Sequence, residues 1–307
     1  EHVYTVPPFA GMRATRTASD PGGPSPTVFP VMHKAKYVAD HTRERWPQAI
    51  TEFDCPPHAR APGLALGRRK ILGLLVSDIA NPFFPEIIKS IEAAVIAAGY
   101  NLFLLNTNYE MDRTIEYVRR LIRMKVAGII LMIAEFDEVL INETKRNKTS
   151  FVFQDLGVVG ERVSNIILDY AVGVDEAVQH LVSLGHTEII HIAGAPEIHS
   201  AGVRRQAFID AIKRHLPNAS APKIYEGDFR FDGGRLAASR VLAEKTLPTA
   251  VVVANDLMAL GAMQEFKAAG LHIPNDISIV GFDDISFASL SEPALTTVCS
   301  PRVEIGR

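Results

Sequence analysis

From Lys70 onward, apolar runs of five to eight residues rich in Val and Ile alternate with amphipathic stretches of twelve to sixteen. Continuous apolar runs suit strands covered on both faces, and strands separated by a helix of that length pair in parallel. The alternation therefore predicts an α/β chain. Strands are expected at 71–78, 101–107, 127–133, 150–155, 164–170, 188–195, 223–228, 250–255, 277–284 and 295–299, with helices starting near Phe84, Met111, Asp137, Gly173, Ala201, Asp232, Asp256 and Arg302. Gly99, Gly185 and Gly270 each follow the last apolar turn of a helix, where a left-handed residue is favoured. Four strands before about residue 168 and five after it imply two similar halves. A ligand of such a pair sits in the cleft outside the carboxyl ends of the strands.

Upstream of Lys70 the composition changes. Residues 1–70 carry ten Lys/Arg against six Asp/Glu and ten of the nineteen prolines, so the net charge of −3 divides into +4 there and −7 beyond. A boundary is expected near Arg68 to Lys70, between a small basic part and a larger, mildly acidic one. A basic appendage points to nucleic acid, although so small a surplus is also ordinary solvated surface. The longest apolar runs, such as 127–133, fall far short of the roughly 20 residues that cross a bilayer. The first 30 residues show no charged start followed by an apolar block. A cytoplasmic protein with no membrane partner is expected. Cys55 and Cys299 have no metal-ligand or redox spacing and are expected to be buried free thiols.

The strand ends carry the chemistry. "SDIANPFF", "QDLG", "GAPEIHSAGVRR", "EGDFRFD", "ANDL" and "GFDD" follow successive strands and collect carboxylates, amides, an arginine pair and aromatic rings. Such a set holds a polar small molecule by charge-assisted hydrogen bonds, with rings on its apolar faces. No nucleophile elbow, phosphate loop or zinc motif is present, and His180, His186 and His191 fall on a helix, in a turn and in a strand. Neither an enzyme nor a resident cofactor or metal is expected.

These strand-end motifs, with "LVSLGHTEIIHIAGAP", "RRQAFIDAI", "VVVANDLMALGAM", "IPNDISIVGFDD" and "PALTTV", resemble the LacI/GalR (lactose-repressor) family of bacterial transcription regulators from about Val38 to Arg307. The resemblance implies two periplasmic-binding-protein-like (type I) subdomains with parallel sheets, joined by three crossovers. The first is expected at about 71–168 plus 300–307 and the second at about 169–299. Ahead of them the resemblance places a helix-turn-helix head at 1–56 and a hinge at 57–70. The implied partners are operator DNA, a second copy of the chain, and an effector that is a sugar, nucleoside or nucleobase.

Residue by residue, Arg204 falls where the family has its effector-binding arginine, the other reading being a solvated helix arginine such as Arg205. Asp283 and Asn255 match cleft positions that hydrogen-bond the ligand, helix capping being the other reading of Asn255 and of Asp256 beside it. Phe229 matches the ring lining the effector, or is plain core. Asp155 and Ser200 match polar cleft positions, and Asn81, Phe83 and Phe84 lie in the loop bordering the cleft. For DNA, the resemblance implicates Thr27, His33 and Lys34 in the segment like a recognition helix, and Leu64 with Arg60 in the hinge, where a leucine wedges into the minor groove.

The head departs from the family. "RATRTASDPGG" (13–23) has no counterpart there, and Pro7, Pro8, Pro26, Pro30 and Pro47 fall inside expected helices, each costing about 3 kcal/mol. Phe29 and Pro30 stand where the family has a Ser-Arg pair facing DNA, and Pro62 and Gly63 disfavour a hinge helix. A degenerate head is therefore expected, with 58–70 either an impaired hinge or a basic linker. Because the family continues beyond "PRVEIGR", the chain reads as a fragment or a shortened gene product with exposed strand edges. The other functional reading is a stand-alone small-molecule binding protein.

Overall fold

The computed structural model describes residues 69–134, 138–155 and 160–307. The chain divides after Gly67, so the described residues belong to its second unit. Its first sheet has the parallel order β2-β1-β3-β4-β5, from β1 (Arg69–Val76), β2 (Asn101–Asn106), β3 (Val126–Met132), β4 (Ser150–Gln154) and β5 (Val163–Ile166). Helices α1 (Phe83–Ala97), α2 (Met111–Arg123) and α3 (Glu138–Arg146) intervene. Along β1 the side chains alternate between two cores, as the period of two demands. Leu75 packs with Val118, Leu121 and Leu140 of α2 and α3, whereas Leu74 and Val76 pack with Ile87, Ile91 and Val95 of α1.

The second sheet comprises β6 (Ile189–Ala193), β7 (Ile224–Glu226), β8 (Ala250–Val253), β9 (Ser278–Asp283) and β10 (Thr296–Cys299). Its order β10-β9-β8-β6-β7, read from the other edge, repeats that of the first sheet. Between its strands run α4 (Tyr170–Ser183), α5 (His199–His215), α6 (Phe231–Leu242), α7 (Asp256–Ala268) and α8 (Ser286–Leu290), and α9 (Arg302–Gly306) follows β10. Ile305 of α9 packs into the core around Ile87 of α1, so the chain returns to the first half. Among the described residues it passes between halves twice, at 167–169 and at 300–301.

Several expectations shift. The strand expected at 164–170 is β5, which ends at Ile166 and pairs with β4, giving five strands to each half. The chain leaves the sheet there because the Asp169 carboxylate accepts from Ala171 N and Val172 N, capping α4 and starting it at Tyr170 rather than near Gly173. Helix α8, five residues long, was not expected. Cys299 is exposed rather than buried, since β10 is an edge strand; Cys55 lies outside the described residues. His191 is wholly buried in β6, with Nδ1 2.8 Å from the Val252 carbonyl and its ring stacked on Phe208, centroids 4.9 Å apart. Burial holds its imidazole neutral, down to a pKa of about 4.

Candidate ligand-binding cleft

In this strand order a ligand is expected beyond the carboxyl ends of the two strands where the order reverses: β1 and β3 in one half, β6 and β8 in the other. A cavity of about 90 Å³ lies there, lined from one half by Asn81, Phe83, Phe84, Tyr109 and Asp155, and from the other by Tyr170, Ser200, Arg204, Phe229, Asn255 and Asp283. A single water needs some 10–15 Å³, so the space suits a compact ligand rather than a solvent molecule.

Arg204 lies on the apolar stripe of α5, in step with Ala201, Phe208, Ala211 and Ile212, which drives its guanidinium inward. The residue is 5% exposed and its guanidinium carbon sits 4.3 Å from the Tyr170 ring centroid and 4.5 Å from that of Phe282. One terminal nitrogen donates to the Ala254 carbonyl, and the other lies 3.7 Å from Asp283 Oδ1. Arg204 Nε and Asp283 Oδ1 have no hydrogen-bond partner. A buried donor and a buried acceptor left without hydrogen bonds are costly unless a ligand completes them. Burial pushes the Asp283 carboxyl up to about 7, against the pull of Arg204.

The neighbouring groups position these two. Asn255 caps α7 through Oδ1, accepting from Met258 N at 3.0 Å, while its Nδ2 donates to the Phe229 carbonyl. Asp256, expected as the cap, instead accepts from Ile285 N and Thr297 Oγ1, tying down the loop after β9. Burial raises its carboxyl to about 6 despite those bonds. The Phe229 ring lies against Gly194, where a Cβ would come within 2.3 Å of it, so only glycine lets the ring settle over the end of β6. Asp155 accepts from Leu168 N at 2.9 Å and from the Tyr170 hydroxyl at 2.5 Å, clamping the first passage between halves. Its hydrogen-bonding capacity is directed at the chain more than at the cavity.

Phe83 and Phe84 open α1 rather than belonging to a loop, their rings edge to face at 5.4 Å, and Asn81 accepts from Phe83 N. Ser200 is half-buried in the first turn of α5, and Arg205 beside Arg204 is exposed. Among the described residues seven non-glycines have positive φ, and of these Tyr109, Asp155, Phe229 and Asp283 line this one cavity. Strained backbone collects at sites whose geometry matters.

The cleft thus gathers all nine residues expected to bind an effector. Tyr170, Tyr109 and Arg302 were missed. Tyr170 directly follows the capping Asp169, a signal for a helix start but not for a ring under an arginine. Arg302 donates to the Asp283 carbonyl and to Glu86 Oε2 of α1, the latter at 2.7 Å, so it joins the strained end of β9 to the first half. The residues expected to meet DNA, Thr27, His33, Lys34, Arg60 and Leu64, lie outside the described residues. Among the described residues no cluster of His, Cys, Asp or Glu could hold a metal, and no helix is long and apolar enough to cross a membrane.

Residues 178–307 match the periplasmic-binding-protein-like domain family. The HTH-type transcriptional repressor PurR of Erwinia tasmaniensis is 34% identical over 283 residues, which are 91% of this chain and 83% of that protein. The chain belongs to the LacI/GalR family. Its fold relatives include the lac repressor dimer bound to operator and the anti-inducer ONPF, with a TM-score of 0.78 at 28% identity over 94% of this chain and 88% of that one. Also similar is the regulator CelR in complex with cellobiose, with a TM-score of 0.71 at 27% identity over 96% and 89% of the two chains. As a LacI/GalR member the chain is a ligand-regulated regulator, and the repressors it resembles are not enzymes.

Proposed function

We propose that this chain is a transcriptional repressor that binds operator DNA as a homodimer and is switched by a sugar, nucleoside or nucleobase held in the cleft. The observation that carries the reading is the open pair Arg204 Nε and Asp283 Oδ1, buried beside the rings of Tyr170, Phe229 and Phe282 in a cavity that both halves line. A ligand hydroxyl or ring N–H donates to the carboxylate while a neighbouring oxygen or nitrogen accepts from the guanidinium. Phe84 and Phe229 then cover its flat or apolar faces.

The switch arises from where those groups sit. Arg204, Asp283, Asn255 and Phe229 belong to the second half, and Asn81, Phe83 and Phe84 to the first, so a ligand touching both sets favours one mutual orientation. Arg302 carries the same preference along the backbone, since it holds the Asp283 carbonyl and Glu86 of α1 together. The ligand changes DNA affinity only by its preference for one orientation, commonly about 1–3 kcal/mol.

The test is a thermal-shift screen of sugars, nucleosides and nucleobases on the full chain, followed by operator titration with and without the best ligand. Stabilisation by one class together with a ligand-dependent operator affinity is expected. The prolines at 26, 30 and 62 favour one competing reading, a small-molecule binding protein without DNA affinity. Ligand stabilisation with no operator preference at any salt would establish that reading instead.

A further inference from the structure

The ends at which strands enter the first sheet, opposite the cleft, carry a charge that ligand binding does not use. Segments 69–70, 94–100, 120–125, 143–149 and 160–162 hold nine Lys/Arg against two acids, whereas the corresponding segments of the second half, 180–188, 212–223, 239–249, 265–277 and 291–295, hold six against five. Both sheets have one strand order, so the fold does not impose the difference. Helix C-termini, which favour nearby cations, lie at this end in both halves, so the dipole does not account for the excess either.

Two of the second half's six cations are also neutralised by acids, while Lys213 and Lys245 are exposed without an ion pair among the described residues. In the second half Arg214 lies 2.6 Å from Asp175 and Lys223 lies 2.6 Å from Glu244. In the first, Lys70, Arg123, Lys125 and Arg146 are exposed and form no ion pair among the described residues. Arg162 is exposed and donates to the Lys148 carbonyl at 3.0 Å. Strand register sets these residues in a row, because Arg69 stands opposite Val126, Gly128 opposite Ser150 and Phe151 opposite Val163. Lys70, Lys125, Lys148 and Arg162 therefore mark the entries of four adjacent strands, a span of about 14 Å at the usual strand spacing. One strand of duplex DNA presents a phosphate every ~3.4 Å of axis, so the row meets about four.

We propose that this row is a sequence-independent surface for the phosphate backbone of duplex DNA. The chain enters the unit at this same end, where β1 opens on the basic pair Arg69 and Lys70, directly after Arg68 in the sequence. The row has no exposed aromatic ring of the kind that anchors a protein partner. The choice of DNA rests on the repressor reading; the charge row itself does not.

The experiment is anisotropy of the full chain on a scrambled duplex of about 25 base pairs between roughly 50 and 200 mM salt. In Lys70→Gln/Lys125→Asn/Lys148→Gln/Arg162→Gln, with Asn chosen because Lys125 has φ +55, the slope of log affinity against log salt is expected to fall by about 3 to 4. The two pairs made separately each remove about half of that and guard against misfolding of the quadruple variant. Lys223→Gln/Lys245→Gln, on the second half, leaves the slope unchanged. An unaltered slope in the quadruple variant, an equal fall in that control, or polyglutamate competing as well as the duplex at equal charge overturns the proposal, the last by assigning the row to an acidic protein. Ligand stabilisation and operator preference are read in parallel: a chain lacking both that still shows the slope change keeps the row and loses the repressor reading.

Discussion

The two halves share a strand order yet bring opposite things to the cleft. The second half supplies buried, charged and hydrogen-bonding groups fixed by neighbours: Arg204 between rings, Asp283 at a strained strand end, and Asn255 spent on a cap. The first supplies the rings of Phe83 and Phe84, with Asn81 turning the chain beneath them. On the proposed reading, one half specifies a ligand and the other covers it. Duplication of a fold leaves each copy free to specialise at its loops, because the sheets position strand ends whatever those ends carry.

That division can be broken from either side. Arg204→Ala is expected to have the largest effect, a loss of ligand affinity of about 100-fold or more by calorimetry, since it leaves Asp283 buried without its counter-charge. Equal affinity in wild type and variant would place the ligand elsewhere. Asp283→Asn keeps shape and size, and a loss of about tenfold is expected at pH 8. Affinity of the wild type rises with pH through about 7, where the carboxyl ionises and becomes a better acceptor; the Asn variant loses that rise, which a pH series of titrations reads directly. Phe84→Ala, on the covering side, costs about fivefold, consistent with a ring contact of roughly 1 kcal/mol. Smallest is Arg302→Gln: ligand affinity stays within about twofold, while the ligand's effect on operator affinity shrinks, because the variant unties Asp283 from α1 without touching the cavity. A large drop in ligand affinity there would merge the roles that the comparison separates.

Much of this is readable in the sequence, for definite reasons. Uninterrupted Val/Ile runs between amphipathic stretches give both sheets, and the residues just after each run give the cleft, since parallel strands all point their carboxyl ends one way. The end of β5 is harder to place, because Ile167 and Leu168 prolong an apolar run after the backbone has left the sheet for the Asp169 cap. Helix α8 is too short for any periodicity. Arg204 stands out as a cation on an apolar stripe, but Tyr170 and Arg302 acquire their roles from partners 34 and 216 residues away, Arg204 and Glu86, which local patterns do not encode. The exposure of Cys299 comes from its strand lying at the sheet edge, also a tertiary fact.

The raised carboxyl of Asp283 sets binding against folding. Its pKa is about 7 in the fold against an ordinary value of 3.8, so between those limits the native state holds more protons than the unfolded chain. The stability from this group is complete below the lower value and drains away as pH climbs through about 7. His191 works in the reverse sense, its burial cost appearing only as pH falls from 6.5 towards about 4. A ligand that takes up ionised Asp283 therefore grips hardest where the empty protein is weakest. Melting curves should show the ligand-free midpoint drifting down from pH 6 to 8 while the increment added by ligand grows, the signature of a receptor that trades resilience for responsiveness.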